Sequence, residues 1–248
     1  MANLKRFFDF YINSSIHIAI AVFSLVQISK LSLNIDANIE LEIFLLFGTI
    51  LGYNFLKYFQ VFWNRVYNFK KNYSIFLVSS VSFLVMIYYY FQLSLDYKLE
   101  FLKIAILILI YPFIRKYPFL KMAFVSFCLT YITVYLLIIE QKINYIYLIQ
   151  RFLMLFCLLI PFEICDIALD SKTIKTLPQI IGIKNVKTVG YCFLILFLCL
   201  NYNLSNIFFA IFTAIAIFLS NENRSKYFTS FWVESLPIFW WVLVIVLE

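Results

Sequence analysis

Glu163, Asp166 and Asp170 stand at i, i+3 and i+7 in the stretch P-F-E-I-C-D-I-A-L-D, and on a helix that spacing puts three carboxylates on one face. Carboxylates held this close repel one another unless a cation lies between them. Mg2+ fits the role, because it takes one or two carboxylates and fills its remaining shell with the oxygens of a phosphorylated substrate. The plainer reading is three solvated charges at a helix end, with Ser171 and Thr173 starting a turn. Neighbouring cations bear on the choice. Lys172 and Lys175 follow the triad, and Y-P-F-I-R-K-Y-P carries Arg115 and Lys116 in a loop where Pro112 and Pro118 are expected to break the helix. Paired cations there suit a phosphate, which arginine can chelate through two N–H groups; they equally suit the anchoring of a cytoplasmic loop. Asn54, Lys57 and Tyr58 share a face at the end of another apolar run, where the lysine reads either as a snorkelling interface residue or as an ionisable group with a task.

The elements that must position these residues are transmembrane helices. With 64% hydrophobic residues and a mean hydropathy of +0.92, the 248-residue chain lies far outside the soluble range and reads as a single integral-membrane domain, residues 1–248, in a lipid bilayer. Nine apolar windows are expected to span: 11–30, 41–62, 73–95, 99–114, 119–140, 144–165, 187–202, 204–220 and 230–247. Lys5 and Arg6 precede the first window as they would in a signal peptide, but no small-residue cleavage site follows, so the window reads as the first span. With the N-terminus on the cytoplasmic side, 15 of the 20 Lys and Arg residues fall on that side, as the positive-inside rule requires. That distribution explains the net charge of +7 without a nucleic-acid partner.

Other residues read as structural. Gly48 and Gly52 form a small-xxx-small pattern that lets another helix approach closely. Pro161 is expected to kink its span one turn before the acidic cluster, and Glu234 to act as a helix N-terminal charge. His17 stands alone among apolar neighbours as a packed residue. The five cysteines lie in apolar segments without paired spacing, which argues against a disulfide framework or a zinc site. There is no Gly-rich phosphate loop, no Ser/His/Asp arrangement and no HExxH.

Taken together, the three cytoplasmic elements resemble the UbiA-type intramembrane prenyltransferase superfamily over most of the chain. E-I-C-D-I-A-L-D-S-K-T-I-K-T-L-P-Q-I-I-G is similar to the second Asp-rich motif of that family, D-x-x-D-x-x-x-D with a basic tail ending in Gly, and Y-P-F-I-R-K is similar to its Tyr-Pro paired-basic loop. The first motif, N-D-x-x-D-x-x-x-D, keeps only Asn54; Phe55, Tyr58 and Phe62 occupy the aspartate positions, and no carboxylate lies between Glu42 and Asp96. The resemblance implies nine helices around a central cavity, Mg2+ held by Glu163, Asp166 and Asp170, and a diphosphate held by Asn54, Lys57, Arg115, Lys116 and Lys172. Lys57, one turn beyond Asn54, would supply charge that the missing carboxylates and their metal do not. The activity that the resemblance implies is that of an all-α prenyltransferase of the cytoplasmic (inner) membrane, moving an isoprenoid chain from a prenyl diphosphate to a lipophilic acceptor. The alternative is a non-catalytic protein of the same fold that binds a polyprenyl lipid or serves a protein partner, which the erased first motif favours. A transporter fits less well, because the polar residues gather on one rim and do not continue through the membrane.

Overall fold

The computed structural model describes residues 2–36, 39–63, 69–139, 145–168 and 176–247, and every regular element in those segments is helical. In chain order these are α1 (Ala2–Asn13), α2 (Ile16–Leu33), α3 (Ile39–Trp63), α4 (Phe69–Gln92), α5 (Leu95–Ile114), α6 (Pro118–Thr133) and α7 (Tyr145–Cys165). They continue with α8 (Leu177–Ile181), α9 (Ile183–Leu200), α10 (Leu204–Leu219) and α11 (Leu236–Leu247). A 3-10 turn at Tyr135–Ile138 extends α6, another at Asp166–Ala168 follows α7, and a π-helical segment at Phe228–Val233 leads toward α11. Seven stretches, Ile16–Leu33, Ile39–Tyr58, Tyr73–Gln92, Pro118–Ile138, Tyr145–Cys165, Ile183–Leu200 and Phe228–Leu247, are long and apolar enough to cross a membrane. The chain is therefore a multi-pass membrane protein. α5 and α10 occupy the places of the fourth and eighth expected spans, but α5 carries Asp96, Lys98, Glu100 and Lys103 in its first half and α10 has only 16 residues.

The helices close a ring that largely follows chain order. α2 packs on α3, α3 on α4 and α5, α5 on α6, α6 on α7, α7 on α9, α9 on α10, α10 on α11, and α11 returns to α2. α7 is the hub: 72% of its spanning window is buried, against 11% for α4. Phe76, Leu84 and Phe91 of α4 accordingly face outward, where lipid replaces the core. Pro161 lies inside α7, which continues four residues past it. Pro112 likewise lies inside α5 and does not end it, whereas Pro118 occupies the first turn of α6, where a missing N–H leaves no bond unmade.

Two sequence expectations change. The first window is not one helix, because α1 stops at Asn13 and Ser15 takes a left-handed φ of 63° before α2 begins. α1 has near-zero mean apolarity but a strongly one-sided distribution, the pattern of an interfacial helix. The close helix approach is also elsewhere. A Cβ at Gly48 or Gly52 would meet only Met86, Phe44 or Ile108 side chains at 3.6 Å or more, which is ordinary contact. At Gly190 of α9 it would lie 2.7 Å from the terminal methyl of Ile160 on α7 and 3.0 Å from that of Ile217 on α10, so a side chain there requires both isoleucines to shift. A single glycine facing two isoleucines carries no pattern that a sequence reading detects.

Candidate functional site

The α-helix that carries the acidic stretch ends at Cys165, and Asp166 belongs to a tighter 3-10 turn, so the single helical face expected for Glu163, Asp166 and Asp170 is not continuous. Glu163 turns into the bundle at 3% exposure, where Oε1 accepts a 2.6 Å ion pair from Lys121 Nζ of α6. Its Oε2 is buried with no hydrogen-bond partner among the described residues. Asp166 lines a cavity of about 850 Å³. Asp170 and Lys172 lie outside the described residues, and among those described no group of three or more His, Cys, Asp or Glu is placed to hold a metal.

The cations gather from four elements. Arg115, at the end of α5, and Lys121, one turn into α6, line the cavity together with Lys57 of α3 and with Arg224 and Lys226 from the connection after α10. Tyr111, Arg115, Lys121 and Asp166 line the same cavity, and Glu163 joins them through its ion pair to Lys121. Arg115 Nε is buried there without a hydrogen-bond partner among the described residues. Lys116 points out to the surface and does not line the cavity. Lys57 Nζ makes long contacts of 3.5 and 3.4 Å to the carbonyls of Ile12 and Asn13, where a cation complements the C-terminal end of α1. Tyr58 OH donates to Asn13 O at 3.0 Å beside it.

Asn54 has a different occupation. Its Oδ1 accepts from Ser15 Oγ at 2.8 Å, and its Nδ2 donates to Ser14 O at 3.0 Å and to Ser79 Oγ at 2.9 Å. It is 4% exposed and absent from the cavity wall; it fastens the left-handed break between α1 and α2 to α3 and α4. His17 belongs to the same region, with Tyr11 OH at 2.8 Å, Phe231 O at 3.1 Å and Ser235 Oγ at 3.2 Å. Tyr227 donates to Asp9 of α1, and that bond holds the Tyr227 proton above the ordinary tyrosine range. Burial raises the Tyr11 hydroxyl in the same direction, with the charge of Glu234 adding to it.

Inward from the mouth the cavity wall is apolar: Ala21, Val22, Gly48, Gly52, Phe101 and Ile104 are among the residues that form it. Phe44 and Lys57 mark its two ends on α3, roughly 20 Å apart at the helical rise per residue. The cavity is thus a long apolar slot with a charged rim, near the upper end of the roughly 300–1,000 Å³ common for ligand pockets. Such a shape takes an amphiphile with an anionic head.

Lys121, Arg224, Lys226 and Glu234 were not singled out as site residues by the sequence. Lys121 follows Pro118 by three positions, a spacing that turns it inward while the adjacent pair at 115 and 116 splits between cavity and solvent. The other three reach the cavity only because α11 closes the ring.

The fold and site define a helical multi-pass membrane protein with a lipid-sized internal cavity. No protein-family model matches the chain, and neither the curated proteins nor the solved structures contain a match.

Proposed function

We propose that the chain is a UbiA-like intramembrane prenyltransferase, binding a prenyl diphosphate with its head at the charged mouth and its chain in the slot, and passing the prenyl group to a lipophilic acceptor in the cytoplasmic membrane. One observation carries the reading. Arg115 Nε, a buried donor of a cavity-lining residue, lacks a partner among the described residues, and so does Glu163 Oε2, whose carboxylate sits behind the wall and reaches it through the ion pair to the lining Lys121. Buried polar groups without partners are rare and call for an unseen ion or ligand. A diphosphate chelated by cation completes both.

Among the described residues, Glu163 and Asp166 are the two carboxylates that would hold Mg2+, with a phosphorylated ligand supplying the remaining oxygens. When bound, the ion neutralises charge developing on a diphosphate leaving group. The chain's own residues do the rest. Arg115 offers N–H donors to the phosphate oxygens, Lys121 and Lys57 add fixed positive charge, and the apolar wall excludes water from an allylic carbon that would otherwise be hydrolysed.

The test uses purified protein in lipid nanodiscs with Mg2+ and labelled farnesyl diphosphate, read by binding and by pyrophosphate release, beside D166N. Binding and release by the wild type, both reduced in D166N, support the reading; absence of binding overturns it. Binding without release favours the second reading, a non-catalytic protein holding a polyprenyl lipid, which rests on the carboxylate-free stretch from 43 to 95.

A further inference from the structure

Among the described residues that line the cavity, two carry carboxylates, and they serve different neighbourhoods. Asp166 acts on Tyr111 beside Arg115 and Lys121. Glu234 acts instead on Lys57, Tyr53 and Tyr11. The cavity therefore has two polar subsites, one on α5, α6 and the end of α7, the other between α3 and the segment entering α11.

Glu234 is presented by unusual backbone. The π-helical segment Phe228–Val233 ends at it, and its N–H bonds Thr229 O five residues back. A π turn inserts one residue into a helix and so re-aims the side chains beyond it, which is why such turns recur at functional sites. The segment is held from the far side, where His17 stacks on Phe231 at 4.9 Å and contacts Phe231 O and Ser235 Oγ. The Glu234 carboxylate itself has no hydrogen-bond or ion-pair partner among the described residues, although it faces the cavity. It is positioned, unengaged and beside the space into which an acceptor would enter.

We propose that Glu234 is the base that takes the acceptor's proton, and that the acceptor is an uncharged lipophile bearing a phenol or hydroxyl. The proposal rests on the prenyltransferase reading and deepens it. As the C1–O bond of the donor breaks, its electron pair leaves with the diphosphate; a ring carbon or oxygen of the acceptor forms the new bond to C1, and the proton that the acceptor loses passes to the Glu234 carboxylate. A carboxylic acid acceptor would arrive already ionised and leave Glu234 no proton to take, so the acceptor this residue can serve is a phenol or hydroxyl. The other polar groups that line the cavity from α3 and from the segment leading to Glu234 include Tyr53, Lys57, Lys226, Thr229 and Ser230.

The experiment uses the full chain in nanodiscs with Mg2+ and farnesyl diphosphate, offering 1-naphthol or 1-naphthoic acid as acceptor, in wild type, E234Q and E234D. Binding of uncleavable farnesyl thiodiphosphate is measured in parallel. Transfer to 1-naphthol should exceed transfer to the acid by more than about tenfold, and E234Q should lower it on the order of 100-fold or more, the usual contribution of a general base. E234D should fall between, and analogue affinity should stay within about twofold in both variants, which shows that they are folded. Equal transfer by E234Q, preference for the acid, or analogue binding by the wild type without transfer to either probe overturns the Glu234 assignment and leaves the donor site standing. Failure of the wild type to bind the analogue overturns the prenyltransferase reading and this proposal with it.

Discussion

The two ends of the helix ring use the same residue types in opposite ways. Away from the cavity mouth, Glu42 accepts from both Lys30 and Gln27, and Glu100 accepts from Lys103 and Tyr131. Arg151, 2% exposed inside α7, donates to Leu25 O at 3.1 Å and to Ser29 Oγ and Tyr147 OH at 2.9 Å, with its guanidinium over the rings of Tyr147 and Trp240. At the mouth, Arg115 and Glu163 each keep a buried atom unpaired. Burying an unpartnered polar atom costs roughly 1–3 kcal/mol, so Arg115 and Glu163 cost stability that Glu42, Glu100 and Arg151 do not, although Gln150 Nε2 and Trp240 Nε1 beside Arg151 are unpartnered among the described residues as well. Groups that destabilise a fold persist where a ligand completes them.

Breaking the paired end should therefore reduce stability and spare binding. Arg151→Ala is expected to lose about 3 kcal/mol, because it removes the packing of a large buried side chain and strands three acceptors. Reversible unfolding in detergent should show the loss, with farnesyl diphosphate affinity unchanged; a parallel drop in affinity would erase the distinction between the two ends. The mouth should respond in reverse. Arg115→Met is expected to weaken farnesyl diphosphate binding by about 10- to 100-fold, equivalent to roughly 1.5–3 kcal/mol for hydrogen bonds to a charged group, while thermal stability holds or rises.

Asn54 sharpens the comparison, because the sequence pattern puts it at the diphosphate and its hydrogen bonds put it in the scaffold. Asn54→Ala should lower stability by about 2 kcal/mol through the loss of three buried hydrogen bonds, and change donor affinity by less than about threefold. A large affinity loss at unchanged stability would return it to the ligand. Gly190→Ala should destabilise by about 1–2 kcal/mol, since Ile160 and Ile217 must move to admit a methyl group, again without an effect on binding. The smallest effect belongs to Lys116→Ala. As an exposed cation beside Arg115 it should alter donor affinity by less than about threefold at physiological salt, measured by the same binding assay.

The fold was legible wherever composition alone decides it. An uninterrupted apolar window longer than a bilayer is thick must become a helix, because backbone N–H and C=O groups have no other partner in hydrocarbon. Seven of the nine expected windows accordingly hold a helical stretch long and apolar enough to cross, the first of them broken near its start at Ser14–Ser15, while α5 and α10 fall short in apolarity or length. The break at Ser14–Ser15 was not legible, since two serines carry no helix-ending signal; Asn54, 39 residues further on, holds that turn by accepting from Ser15. Of the residues that type and spacing single out, Asp166 and Arg115 line the cavity and Glu163 reaches it through Lys121. Which of the neighbouring lysines faces the cavity could not be read that way, because a one-residue change of position on a helix rotates a side chain by about 100°.

By itself the sequence determined that this is a many-helix membrane protein, since hydropathy and charge are local properties and partition residue by residue between lipid and water. Tertiary structure alone decided which charges meet. Glu234, Arg224 and Lys226 come to the cavity beside α3, α5 and α6, Asn54 of α3 is sealed into the α1–α2 break, and Arg115 and Glu163 each keep one buried atom without a partner among the described residues. Those outcomes depend on contacts between residues far apart in the chain, and no local pattern encodes them.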